Sequence, residues 1–113
     1  MQLEQTPHGE IVTIEGREEL SIVRAALAAT THGLLPLIPY PSGSRHAYAT
    51  LAREVDIILS DRHRNNSDAA YTLPVRESQL CLHALERNAA QEPSLPKGAT
   101  TGYGALLKQL QEQ

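Results

Sequence analysis

The sequence predicts a small α+β domain: a sheet of about three strands, built from an N-terminal hairpin plus one edge strand, covered by three to four helices. Three observations carry this expectation. A β-branched run, Ile11-Val12-Thr13-Ile14, follows the turn signal Pro7-His8-Gly9-Glu10. Several later stretches space their apolar residues at the helical period, the longest over about residues 44–64. The chain has 113 residues, which fits one small domain spanning 1–113.

In chain order, the simplest first element is a hairpin from Gln2 to Glu15, ended by Gly16. Arg17 to His32 reads as a helix. Leu20, Val23 and Leu27 share one face with Ile22, Ala26 and Ala29 beside them, and Glu18 and Glu19 suit the positive end of the helix dipole. Gly33 supplies the stop. Residues 34–41, LLPLIPYP, are apolar but carry Pro36, Pro39 and Pro41, which forbid a helix or a central strand. An extended connector laid over the core is the expectation there, with Ser44 as N-cap of the next helix.

That long helix is the best-defined element. At ~100° per residue, Ala47, Tyr48, Leu51, Ala52, Val55, Ile58 and Leu59 fall within an arc of about 140°. The opposite arc holds Arg45, His46, Arg53, Glu54, Asp56, Ser60, Asp61, His63 and Arg64. Two residues break the pattern. Ile57 points to the polar side, and Arg62 points to the apolar side, where the helix ends or the side chain snorkels its head to water.

Asn65 to Ala69 reads as a loop. Tyr71 to Val75 reads as a short strand that Pro74 confines to an edge. A third helix is expected from Arg76 to about Ala89 on Leu80, Ala84 and Leu85. Residues 88–102 have a linker-like composition, and Tyr103 to Gln111 forms a short last helix on Leu106, Leu107 and Leu110. Thr13-Ile14 before Arg17-Glu18 echoes Thr72-Leu73 before Arg76-Glu77, which shared helix-start chemistry explains without a repeat.

Composition narrows the function classes. The chain lacks Trp and Phe, so Leu, Ile, Val and Ala must build the core. A net charge of −3 argues against a general nucleic-acid binder. Cys81 is the only cysteine, which leaves neither an internal disulfide nor a cysteine-built zinc site. The N-terminal residues have no basic start and no apolar run, so a cytoplasmic protein is expected, without a membrane span.

The tempting chemical constellations fail on geometry. Asp56, Ser60 and His63 share a helix stripe, but seven residues of helix separate Asp56 from His63 by ~10 Å, too far for a triad or a shared metal. Cys81 and His83 point to different sides of their helix, and Cys81 is expected as a small core residue. The Gly98 to Gly104 segment lacks the lysine placement of a phosphate-binding loop. No catalytic residue, metal site or cofactor is expected.

What remains is recognition. The expectation is a non-enzymatic protein-binding module of bacterial or phage type: a small inhibitor, immunity protein, antitoxin or adaptor. Its partner is another protein or a second copy of itself. Tyr40, Arg45, Arg53, Ile57 and Arg64 are the expected contact residues, since tyrosine and arginine anchor interfaces and Ile57 is apolar among charges. The alternative is a nucleic-acid-binding regulator using the arginine face of the long helix, and local pairing of those arginines with Glu54, Asp56 and Asp61 would weigh against it.

Overall fold

A computed structural model describes residues 1–32, 45–90 and 102–111. The order of elements is β1 (Gln2–Thr6), β2 (Gly9–Ile14), α1 (Gly16–His32), α2 (Arg45–Arg64), β3 (Tyr71–Thr72), α3 (Val75–Ala89) and α4 (Tyr103–Gln111). The α+β class is as expected: a three-stranded antiparallel sheet in the order β1-β2-β3, with helices packed on it.

The hairpin turns on Pro7 and His8, so that Thr6 pairs with Gly9, Glu4 with Ile11 and Gln2 with Thr13. The Thr6 hydroxyl donates to the Gly9 carbonyl at 2.6 Å and closes the turn. Glycine is required at position 9 on two counts. Its φ is +138°, and a Cβ there would lie 2.7 Å from Cγ1 of Val75, at the start of α3.

Strand alternation sorts the sheet into two faces. Val12 and Ile14 are fully buried beneath the helices, with Leu3 beside them. Thr13 and Thr72, paired across β2 and β3, lie on the other face with their hydroxyls 3.1 Å apart.

One hydrophobic cluster collects Val12 and Ile14 from β2, Leu20, Val23 and Leu27 from α1, and Tyr48, Leu51, Val55 and Leu59 from α2. Leu80, Cys81 and Leu85 join from α3, and Tyr103, Leu106 and Leu110 from α4. Each such aliphatic side chain contributes about 1.5–3 kcal/mol by leaving water. The apolar stripe expected on α2 is therefore the core stripe, with Ala47, Ala52 and Ile58 half-buried at its margins. Ala29 of α1 does not join it and is exposed.

Polar anchors hold the element ends. Glu19, in the first turn of α1, accepts the Glu15 backbone N–H at 3.0 Å and pairs with the Met1 amine at 2.7 Å. From the loop after α2, Asp68 accepts both the backbone N–H of Arg17 at 3.3 Å and its Nε at 3.0 Å. That carboxylate thus caps the N-terminus of α1 from another part of the chain.

Two expected boundaries need correction. The edge strand is two residues long, Tyr71–Thr72, not five. Pro74 cannot donate to the ladder and instead caps α3, which begins at Val75. The linker-like reading of residues 88–102 overlaps the expected third helix, and the helix bound holds: Asn88 and Ala89 belong to α3. Asn88 is buried, and its amide nitrogen lies 3.0 Å from the Ala26 carbonyl, 2.8 Å from Thr30 Oγ1 and 2.7 Å from the Ala84 carbonyl. The α2 helix runs to Arg64 as expected, and of the two outcomes open at Arg62 it is the side chain that adapts. That side chain is mostly covered and directs its Nε to the Ala69 carbonyl at 3.4 Å. Residues 34–41 and Ser44 lie outside the described residues.

Candidate functional site: the outward face of α2

The 20 residues of α2 bury one stripe, Tyr48, Leu51, Val55 and Leu59, and leave the opposite stripe in solvent. The centre of that outer stripe is Ile57, which is 62% exposed and is the exposed large hydrophobic side chain among the described residues. At ~100° per residue, His46, Arg53 and Arg64 lie within about 40° of Ile57 on one side. Glu54 and Asp61 lie within about 60° on the other, by the same rotation. A single apolar side chain therefore divides a basic row from an acidic row along the helix.

The local ion pairs differ from those expected. Asp56 does not neutralise Arg53. It faces Arg24 of α1, with Arg24 Nε 3.7 Å from Asp56 Oδ1. Asp61 sits 3.9 Å from the Arg62 guanidinium. Among the described residues, neither Arg53 nor Arg64 forms an ion pair, and both are exposed. Arg45 is also exposed, at the N-terminal end of α2, turned by about 120° from Ile57. Arg53, Ile57 and Arg64 thus share one surface, with Arg45 at its side. Tyr40 lies outside the described residues.

Beside this face, a cleft of about 260 Å³ opens between α2 and α3. Ala47, Leu51 and Leu80 line it together with the charged side chains of Glu54, Arg76 and Glu77. Glu54 belongs to both the cleft and the outer row, so the two features are continuous. Nearby, the Tyr71 hydroxyl is pushed to a higher pKa by burial, with Glu54 and Glu77 adding to the shift.

The described residues bring together no three His, Cys, Asp or Glu side chains that could hold a metal ion. Cys81 is fully buried, and burial alone pushes its thiol up to about 12. At neutral pH the sulfur is therefore a protonated core atom and not a nucleophile. Asp56 of the Asp56, Ser60 and His63 stripe is turned to Arg24, in the geometry of a surface ion pair.

Two polar side chains that organise the fold escaped sequence reasoning: Ser78 and Asn88. Both are buried, and both bind groups more than sixty residues away along the chain. Among the described residues, no helix is long and apolar enough to cross a membrane. Set against models of protein families, curated proteins and solved structures, the chain matches none.

Proposed function

We propose that this protein is a non-enzymatic protein-binding module, of the kind used by bacteria and phage as small inhibitors, immunity proteins, antitoxins or adaptors, and that it docks through the outward face of α2. The observation that carries the reading is the exposure of Ile57 between a row of cations and a row of anions. An exposed branched aliphatic gains about 1.5–3 kcal/mol when a partner covers it fully. Rim charges of both signs fix register and reject wrong partners more than they add affinity. The proposal sets the protein in the cytoplasm.

The charge layout favours a different protein over a second copy at this face. Two α2 helices packed antiparallel about a two-fold axis bring like flanks together, Glu54 beside Asp61 of the second copy and Arg53 toward Arg64. A parallel pairing sets the two Arg64 side chains, close to the seam, against each other. Each arrangement carries like-charge contacts that a heterologous partner avoids.

The nucleic-acid reading keeps one observation in its favour: among the described residues, no carboxylate pairs with Arg53 or Arg64. Glu54 and Asp61 on the same surface oppose it, because each repels the phosphate backbone. Binding to duplex or single strands that falls steeply with salt would support it.

The test is affinity capture from extract of the native host with wild type, Ile57→Asp and Arg53→Glu. Both side chains are exposed, so both variants fold. The expected result is a protein retained by wild type and lost from both variants, with affinity reduced at least about tenfold. Equal recovery by all three would overturn the assignment of this face.

A further inference from the structure

We draw no further inference here: the strongest candidate, the groove of about 600 Å³ between α1 and α4 lined by Ile22, Ala105 and Leu106 with Glu18 and Lys108 at its sides, is an unpartnered surface, and nothing in the structure shows what covers it.

Discussion

The hydroxyl of Ser78 takes the place of a missing strand residue for Val12. Its oxygen accepts the Val12 backbone N–H at 2.9 Å and donates its own proton to the Leu73 carbonyl at 3.0 Å. One residue on, Leu73 still donates to the Val12 carbonyl at 2.9 Å, so the β2–β3 ladder runs out in the middle of Val12. Pro74 then turns the chain into α3, and the first turn of that helix returns a side chain to finish the pairing. A two-residue edge strand is sufficient because a buried serine completes it.

Ser78→Ala should therefore cost more than an ordinary core trimming of one oxygen. It leaves the Val12 N–H, at a fully buried residue, without its acceptor. Orphaning a buried donor costs about 1–3 kcal/mol. Urea unfolding should show that loss as a lower midpoint at unchanged slope. A change below about 0.5 kcal/mol would mean that water or a backbone shift replaces the hydroxyl.

The clasp between Asp68 and Arg17 predicts a pH signature. The Arg17 side chain and backbone N–H both hydrogen-bond the carboxylate and hold it below its ordinary value of 3.8. Because the folded value is the lower one, the unfolded chain binds this proton first as acid is added. The stabilisation is thus complete above 3.8 and disappears as the pH falls through the folded value. In an NMR titration, the Asp68 carboxyl of wild type should have its midpoint below 3.8, and Arg17→Ala should raise it. Coincident midpoints would show that the clasp does not persist in solution. Asp68 is exposed, so salt should weaken the effect.

The buried thiol gives a clock for opening of the core. Cys81 sits on α3 against the apolar cluster, with its thiol pushed up to about 12 by burial. A thiol reagent at neutral pH should leave native protein unmodified and react stoichiometrically in denaturant. Trace labelling in native buffer should slow as stability rises, since it follows the open population. Rapid reaction of the native protein would contradict the burial of this residue.

The parts of the fold legible in the sequence are those set by local periodicity. The α2 core stripe was readable because Tyr48, Leu51, Val55 and Leu59 recur on one helical face, and packing leaves that phase intact. The same phase exposed Ile57 and placed Arg53 and Arg64 beside it, so the candidate face was readable too. Ion pairing on it was not. Arg53 and Asp56 are neighbours in sequence, yet Asp56 turns to Arg24 because α1 packs along α2. Arg62 shows the same limit, since an apolar-side arginine is tolerable only where a carbonyl such as that of Ala69 can receive it. Composition misled most at Asn88. The run from residue 88 is polar and rich in turn residues, and nothing local reveals that α1 offers this amide its acceptors.

Asn88 therefore supplies the sharpest test of the packing between α1 and α3. Its amide nitrogen faces two backbone carbonyls and the Thr30 oxygen, whose own proton goes to the Ala26 carbonyl at 2.9 Å. All three oxygens act as acceptors toward this nitrogen, so the site requires a donor. Asn88→Ala removes the donor and should cost about 1–3 kcal/mol. Asn88→Asp keeps the shape but sets an acceptor-only carboxylate against three oxygens, and should cost about 3–5 kcal/mol at neutral pH. Acidification should restore part of that loss, because the protonated acid regains one O–H. The folded pKa of the introduced acid is raised by burial among acceptors, so the recovery should begin well above the ordinary carboxylate range. Thermal unfolding of the three proteins across pH provides the measurement. If Asn88→Asp were no less stable than Asn88→Ala at neutral pH, the amide would not be buried among acceptors, and the contact joining these two helices would have to be redrawn.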